Sequence, residues 1–128
     1  MNQPLVSIIT ACYNDGHFLH LPVESVLNQP YENFEMIIVN DGSTDQNTLR
    51  ILDNIKHPKI SIINQQNKRL AGARNSGIRV ATGKYILPLD ADDKITSICL
   101  TRSVEVLESK PDIAMVYGNY QVFGDETR

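Results

Sequence analysis

In the segment EMIIVNDGSTD, residues 35–45, an apolar run is followed directly by turn and helix-capping residues. Its residues 36–39 are uniformly apolar, and such unbroken runs are typical of parallel strands covered on both faces. Asp41-Gly42 then forms a turn dipeptide, and a hydroxyl or acidic side chain of residues 43–45 can cap a helix. We therefore predict a strand, a tight turn and a helix in direct succession.

The same unit recurs along the chain. Besides residues 35–40, strands are predicted at LVSIITA (5–11), KISIIN (59–64), YILPLD (85–90) and IAMVYG (113–118). Helical spacing of apolar residues is found at residues 17–29, 47–55, 70–81 and 95–109. This alternation predicts one α/β domain over residues 1–128, with a mainly parallel sheet and helices on both faces.

Size and composition narrow the class of protein. A chain of 128 residues with 41% hydrophobic and 21% charged residues is an ordinary globular domain. The net charge of −3 argues against a nucleic-acid partner, which requires a basic surface. No apolar run approaches the roughly 20 residues of a membrane span, and no basic region precedes the first apolar stretch as in a signal peptide. Cys12 and Cys99 lack CxxC spacing and are expected to be reduced thiols in the cytoplasm.

The residues that follow the first four predicted strands are mostly polar or charged. They are CYND (12–15), DGSTD (41–45), QQNKR (65–69) and DADD (90–93). In parallel sheets the carboxyl ends of the strands lie at one edge, and ligands bind there near the point at which strand order reverses. The sequence therefore predicts a binding crevice at this edge.

The DADD segment has two explanations. One carboxylate, that of Asp93, can cap the helix predicted to begin near Ile95. Three carboxylates are more than a cap needs, and they repel one another unless a cation lies between them. Asp90 and Asp92, separated by Ala91, can direct oxygens to one Mn²⁺ or Mg²⁺ ion beside a diphosphate. We favour this metal and diphosphate site over capping alone.

Other residues at this edge admit a binding role and a structural one. The carboxylate of Asp41 can accept a hydrogen bond from a base or a ribose, and Tyr13 can either stack on a flat ring or belong to a simple turn. The segment NKRLAGARNSG (67–77) is either a solvated cationic helix entry or a place where Arg69 and Arg74 meet phosphates. Neither a GxGxxG fingerprint nor a P-loop motif occurs, so no Rossmann dinucleotide or P-loop site is predicted.

Four stretches taken together, VSIITACYN, FEMIIVNDGSTD, NKRLAGARNSGI and GKYILPLDADD, closely resemble the donor-binding half of family 2 glycosyltransferases. The resemblance covers residues 5–118, with the motifs in the family's order. It implies the GT-A fold and a nucleotide-sugar donor. A UDP-sugar is expected because members of the family commonly use one. It also implies transfer of the sugar, with inversion, to the hydroxyl of a glycan or lipid-linked acceptor.

In that family the segment after the first strand lies against the nucleotide. By resemblance this segment is Ala11 to Asn14, with Tyr13 at the position that stacks on the base. Asp41 is expected to contact the base. Arg69 is expected to reach the uracil or the diphosphate, at a position where many relatives have glycine.

The same resemblance gives the rest of the expected site. Gly72, Arg74 and Asn75 fall on a segment that lines the donor pocket. The DxD element corresponds to Asp90-Ala91-Asp92, in which Asp90 is expected near the ribose and Asp92 is expected to bind Mn²⁺ or Mg²⁺. Ala11-Cys12 replaces the family's usual Pro-Thr pair, which is expected to matter little because backbone contacts dominate there.

The resemblance assigns no catalytic base within this chain. In inverting relatives the base is an acid well beyond the DxD element, in the acceptor-binding half, and this chain stops at Arg128. Asp125 and Glu126 match no base motif. We expect an excised N-terminal portion of a longer cytoplasmic enzyme, with the inner face of the membrane reached through missing regions. The alternative is a natural, non-catalytic module that binds a nucleotide sugar or acts as a scaffold.

Overall fold

A computed structural model of the protein describes residues 3–116. Within that range the strands are β1 (Val6–Cys12), β2 (Phe34–Asp41), β3 (Ile60–Gln65) and β4 (Tyr85–Pro88). The helices are α1 (His20–Leu27), α2 (Gln46–Asn54), α3 (Arg69–Val80) and α4 (Cys99–Ser109), and a short 3₁₀ helix at Gly16–Phe18 precedes α1. Strands and helices alternate as the hydrophobic pattern predicts.

The four strands form one parallel sheet in the order β3-β2-β1-β4. In the register of the sheet, Ile9 of β1 pairs with Ile37 of β2 on one side and with Pro88 of β4 on the other. Strand order runs outward from β1 to β3 and then returns to the opposite side of β1, so it reverses between β1 and β4. The prediction of a mainly parallel α/β sheet is confirmed.

The sheet is covered on both faces, as predicted. Ile8 and Ile38 belong to the larger core cluster, together with side chains of α1, α2 and α4. Ile9 and Val39 point to the other face and pack against Ala73 of α3. Because every residue of β1 and β2 except Ala11 and Glu35 is buried, these strands read as continuous apolar runs in the sequence.

Helix α3 lies unusually close to the sheet because of Gly77. A Cβ atom at this position would be 2.5 Å from Cγ2 of Ile9 and 3.3 Å from Cγ2 of Val39. Real Cβ atoms essentially never come within 3.0 Å of such neighbours. The glycine therefore allows the helix backbone to contact the strand side chains directly, although it lowers intrinsic helix propensity.

The predicted elements at 113–118 and 17–29 differ in the structure, and the helix predicted at 95–109 begins later, at Cys99. The apolar run at 113–118 is irregular over its described part, residues 113–116, where the N–H of Ile113 donates to the Lys110 carbonyl in a local turn. Its last two positions lie outside the described residues, as do Asp125 and Glu126. The predicted helix at 17–29 is divided into a 3₁₀ helix and α1. Pro22 falls in the first turn of α1, where its missing N–H breaks no helical hydrogen bond.

None of the helices within residues 3–116 combines the length and apolar character needed to cross a lipid bilayer.

The amino end of the sheet is joined by a polar network around Glu35. Its Oε2 atom accepts hydrogen bonds from the Ser7 hydroxyl (2.5 Å), the Thr82 N–H (2.7 Å) and the Thr82 hydroxyl (3.1 Å). The Ser7 hydroxyl oxygen also accepts from the Gly83 N–H at 2.8 Å. Burial raises the pKa of Glu35, but these hydrogen bonds outweigh it and hold the pKa below the usual 4.5. The network ties β1 and β2 to the loop that precedes β4.

Replacing Glu35 with Gln is expected to flatten the pH dependence of stability in acid. Because the folded-state pKa is depressed, the ionised carboxylate stabilises the fold fully above its unfolded-state pKa. That contribution is lost as the pH falls through the folded-state pKa. Urea unfolding at pH 6 and pH 3.5 should show a smaller drop for Glu35→Gln than for the wild type. The exposed Glu24→Gln is the control, and equal drops in all three proteins would contradict the assignment.

Candidate functional site

A hollow of about 480 Å³ opens at the carboxyl ends of β1 and β2. It is lined by Ala11, Cys12, Tyr13, Asp15, Asp41, Asn67, Arg69 and Leu70. Four of these, namely Ala11, Tyr13, Asp41 and Arg69, are residues that the sequence points to. The hollow thus brings together three of the four polar segments predicted to form a crevice at this edge, those after β1, β2 and β3, and its volume is in the range of small-molecule pockets.

Asp41 is a buried carboxylate at the end of β2, and only 3% of the residue is exposed. Its Oδ1 atom accepts hydrogen bonds from the Lys68 N–H at 2.7 Å and from Nε2 of Gln65 at 2.9 Å. The Asn67 side chain donates to the Asp41 carbonyl at 2.9 Å. Since both carboxylate bonds fall on Oδ1, the second oxygen, Oδ2, is the one that can accept a hydrogen bond from a ligand.

Tyr13 supplies an aromatic face to the hollow. The residue is 48% exposed, so its ring is accessible to a flat ligand ring. The neighbouring Cys12 is buried, and burial raises the pKa of its thiol. This thiol therefore stays protonated near neutral pH and contributes to the wall as a small neutral group.

Asn14 lies between two residues that line the hollow, Tyr13 and Asp15, and its side chain is bonded to the loop after β2. Its Oδ1 atom accepts hydrogen bonds from the N–H groups of Thr44 (2.8 Å) and Asp45 (2.9 Å), and its own N–H donates to the Ser43 hydroxyl. Its φ of 57° is in the left-handed region, which asparagine tolerates better than most residues. Asn14 is not among the residues that line the hollow; instead it fastens the end of β1 to the loop after β2.

The loop that Asn14 fastens also begins α2. Asp45 caps this helix, because its carboxylate accepts hydrogen bonds from the Thr48 N–H (2.9 Å) and hydroxyl (2.7 Å). A helix cap within residues 43–45 is thus confirmed.

Arg69 has a φ of 67°, a backbone conformation that favours glycine. This strain gives a physical reason for the glycine that the family often has at this position. Arg69 and Leu70 both line the hollow and begin α3, so the positive end of the helix dipole borders the hollow. The strained residue places a guanidinium group next to that end.

Arg69→Gly is expected to unfold at higher urea concentration than Arg69→Ala. Both variants lose the guanidinium group, but only glycine also relieves the left-handed strain, which is about 1 kcal/mol for an ordinary L-residue. The free energy of unfolding should therefore differ by roughly that amount between the two variants. Equal stabilities, or a more stable alanine variant, would show that position 69 is not strained.

Three acidic side chains lie together beyond β4. Carboxylate oxygens of Asp90, Asp92 and Asp93, one from each residue, are all within 4.8 Å of one another. The segment is a turn in which the Asp93 N–H donates to the Asp90 carbonyl at 3.1 Å. Ala91 is 5% exposed, and its side chain packs in the core. The carboxylates of Asp90 and Asp92, on either side of it, are exposed to solvent. A set of carboxylate oxygens at this spacing fits Mg²⁺ or Mn²⁺.

The capping explanation for these acids is wrong. Helix α4 begins at Cys99 and its N-cap residue, Ile98, makes no side-chain capping bond. The residues before α4 are bonded to α1 and to the residues just after it. The Ser25 hydroxyl of α1 accepts a hydrogen bond from the Ile95 N–H at 3.2 Å. Gln29 donates to the Thr96 carbonyl at 2.7 Å and accepts from the Leu100 N–H at 3.1 Å. These tertiary bonds move the helix start beyond the position that periodicity predicts.

The other residues expected to line the donor pocket lie on α3. Arg74 extends from α3 to the end of β4, where its Nη2 atom donates to Oδ1 of Asp90 at 2.6 Å. Asn75 is exposed, and Gly72 packs closely on Lys68, whose Cβ would be 2.6 Å from a Cβ at position 72. The residues that line the hollow do not include Gly72, Arg74 and Asn75. They also do not include the acidic cluster Asp90, Asp92 and Asp93.

Three lining residues are not among those named from the sequence: Asp15, Asn67 and Leu70. Cys12 falls within the segment Ala11 to Asn14 that is expected to lie against the nucleotide. Each of the three lies one or two positions from a residue that was predicted. Asp15 and Asn67 could have been identified from the sequence, because they belong to the polar segments after β1 and β3. Leu70 gave no polar signal because it contributes apolar surface.

The chain is similar to characterised transferases in sequence. It is 39% identical over 122 residues to the Escherichia coli UDP-Glc:alpha-D-GlcNAc-diphosphoundecaprenol beta-1,3-glucosyltransferase WfaP, covering 94% of this chain and 48% of that protein. It is 38% identical over 116 residues to the chondroitin synthase of Escherichia coli, covering 89% of this chain and 17% of the synthase. The chain thus spans about half the length of WfaP, and the same holds for other relatives at 48% and 50%.

Solved structures have the same fold. S. aureus TarS 1-349 in complex with UDP-GlcNAc superposes with a TM-score of 0.75 at 25% identity, covering 83% of this chain and 32% of TarS. The mannosyltransferase PcManGT from Pyrobaculum calidifontis, in complex with GDP-Man and Mn²⁺, gives a TM-score of 0.70 at 25% identity over 83% of this chain and 33% of that one. These neighbours confirm the GT-A fold.

The sequence profile of glycosyl transferase family 2 matches residues 7–128, which is nearly the whole chain. The expected family is confirmed by this match together with the relatives above. The chain belongs to glycosyl transferase family 2.

Proposed function

We propose that residues 1–128 form the nucleotide-sugar-binding part of an inverting, metal-dependent glycosyltransferase whose donor is a UDP-sugar. The observation that carries the proposal is the hollow lined by Tyr13, Asp41 and Arg69 at the sheet edge where the Asp90–Asp93 cluster also lies. The ring of Tyr13 suits a nucleotide base, and the carboxylate of Asp41 suits an N–H of that base. The guanidinium group of Arg69 suits a diphosphate, and the oxygens of the acidic cluster suit a metal ion.

The nucleoside is assigned to the hollow. Tyr13 stacks on the base, and Oδ2 of Asp41 accepts a hydrogen bond from a ring N–H such as that of uracil. Ala11 contributes its backbone, and Asn14 acts indirectly by holding the loop behind it. Support comes from the TarS complexes with UDP-GlcNAc and UDP, and from the UDP-Glc in the name of WfaP.

The diphosphate is assigned to the region between the hollow and the acidic cluster. Arg69 and the positive end of α3 offer favourable charge there, with Gly72 and Asn75 further along the same helix. Asp92 would hold the Mn²⁺ or Mg²⁺ ion, with Asp90 beside it near the ribose. When bound, such an ion supplies Lewis-acid stabilisation to the negative charge of the diphosphate leaving group. The Mn²⁺ in the PcManGT complex supports the choice of a divalent cation.

We assign no catalytic base to this chain. Transfer to an acceptor hydroxyl needs a group that removes its proton, and this group is proposed to lie in the part of the longer relatives that the chain does not span. The acceptor is proposed to be a glycan or a lipid-linked sugar, as in the name of WfaP, and the site of action the cytoplasm or the inner membrane face.

The test is calorimetric titration of UDP, GDP and TDP, each with and without Mn²⁺. UDP is expected to bind most tightly, and Mn²⁺ is expected to strengthen the binding of UDP but not that of uridine. Transfer from a UDP-sugar should be absent with this chain and present with a longer chain that includes the acceptor half. Failure of every nucleotide to bind would refute the donor site, while robust transfer by residues 1–128 alone would refute the missing base.

Asp92→Asn is expected to abolish the Mn²⁺ dependence of UDP binding. The change removes a charged ligand oxygen, so the loss in metal affinity should be at least the roughly 10- to 100-fold that follows from altering groups around a metal. Uridine binding should be unchanged because it involves no metal. The exposed Asp112→Asn serves as the matched control, and an unaltered Mn²⁺ effect in Asp92→Asn would remove Asp92 from the metal site.

A further inference from the structure

The ion pair between Arg74 and Asp90 occupies part of the acidic cluster. Its 2.6 Å distance between Nη2 and Oδ1 is that of a strong, charge-assisted hydrogen bond. Both side chains remain accessible, with 36% of Arg74 and 47% of Asp90 exposed. The pair is thus formed at the surface, where either partner can be exchanged for a ligand without unfolding the protein.

The pair also joins two separately anchored elements. Arg74 follows Ala73, which is buried against the sheet, so the base of its side chain is held by the packing of α3. Asp90 follows Leu89, whose N–H donates to the Ile9 carbonyl at 2.9 Å and continues β4 alongside β1. The guanidinium group therefore lies at the point between β1 and β4 where strand order reverses, which is the favoured place for ligands in such sheets.

The charges at this point conflict with binding of a cation alone. A divalent ion that approaches Asp90 and Asp92 must compete with the guanidinium group for Oδ1 of Asp90, and it is repelled by the same positive charge. A diphosphate has the opposite effect, because guanidinium groups bind phosphate oxygens with two parallel hydrogen bonds. Once Arg74 bonds to phosphate, the carboxylate of Asp90 becomes available.

We infer that Arg74 is a positioning residue that changes partner when the donor binds. In the free protein Arg74 is bonded to Asp90 and weakens the binding of a metal ion when no diphosphate is present. When a diphosphate is bound, the guanidinium group of Arg74 bonds to phosphate instead, and Asp90 is free to contact the cation and the ribose. Metal and diphosphate then bind cooperatively, and by linkage each strengthens the other by the same factor. This inference rests on the proposed donor site and assigns the coupling within it to one side chain.

The test measures Mn²⁺ binding alone by electron paramagnetic resonance and UDP binding with and without Mn²⁺ by calorimetry. Arg74→Gln keeps hydrogen-bonding capacity but removes the charge. It should bind Mn²⁺ alone several-fold more tightly than the wild type. The coupling between Mn²⁺ and UDP, roughly fivefold or more in the wild type, should be smaller in the variant by the same factor, because only the direct attraction between the ion and the diphosphate remains. Arg74→Lys should retain part of the coupling, because a point charge remains.

Arg79→Gln on the exposed last turn of α3 is the control for a change of net charge and should leave both values unaltered. Circular dichroism checks that the variants fold. If the wild type binds UDP and Mn²⁺ cooperatively and Arg74→Gln does the same with unchanged Mn²⁺ affinity, the inference fails and the donor site stands. If the wild type binds neither UDP nor Mn²⁺, both are refuted.

Discussion

Asp41→Asn is expected to weaken uridine and UDP binding by roughly 10- to 100-fold while leaving the fold intact. The asparagine oxygen can still accept the hydrogen bonds from Lys68 and Gln65 that Oδ1 of Asp41 accepts now. The amide NH₂ group then replaces Oδ2, so a donor faces the ring N–H of the base. The loss corresponds to one hydrogen bond to a charged group, about 1.5–3 kcal/mol.

Uridine is the sharpest probe for this variant, because it carries neither diphosphate nor metal ion. Calorimetry should show the same proportional loss for uridine and for UDP, and Asp53→Asn on the exposed face of α2 should show none. Urea unfolding should give nearly the same free energy for Asp41→Asn as for the wild type. Unchanged uridine affinity in a folded Asp41→Asn protein would mean that the base does not meet this carboxylate.

Gly77→Val is expected to lower the free energy of unfolding by about 3 kcal/mol, at the upper end of the usual effect of overpacking. The first added atom already lies 2.5 Å from the Ile9 side chain, and valine adds two further methyl groups at the same place. Helix α3 must then move off the sheet, which separates Ala73 from the apolar cluster of that face.

The control for Gly77→Val is Ala71→Val at an exposed position of the same helix. It introduces the same β-branched residue without a clash, so its cost should stay within the roughly 0.7 kcal/mol span of helix propensities. Urea denaturation of both variants measures the difference. A Gly77→Val protein as stable as Ala71→Val would show that α3 and the sheet have room for a side chain.

Much of the fold follows from local patterns in the sequence. Strands β1 and β2 are apolar on both faces because helices cover both faces, so an unbroken run such as residues 36–39 identifies a central parallel strand. The position of Asp41 follows because it ends that strand, and residues at the carboxyl ends of parallel strands are the first candidates for ligand contacts. The cap at Asp45 is equally local, since it involves residues three apart.

The features that sequence reasoning missed are tertiary. The start of α4 depends on Gln29, which bonds to Leu100 across 71 positions, and no local pattern contains that contact. Asn14 is a residue type common in simple turns, yet its side chain accepts a hydrogen bond from Thr44, 30 positions away. The partner of Asp90 is likewise set by how α3 packs on the sheet.

The bonds that Ser25 and Gln29 make also govern how freely the acidic turn can move. The segment from Asp90 to Thr96 is attached at one end by β4 and at the other by α1, so its backbone is arranged before any ion arrives. A preorganised turn loses little conformational entropy when a ligand binds, because the ordering has already occurred during folding. In the proposed metal site, the same rigidity would restrict how far the carboxylates can adjust to cations of different radius, and ion selectivity would then depend on the integrity of a helix that contacts no ion.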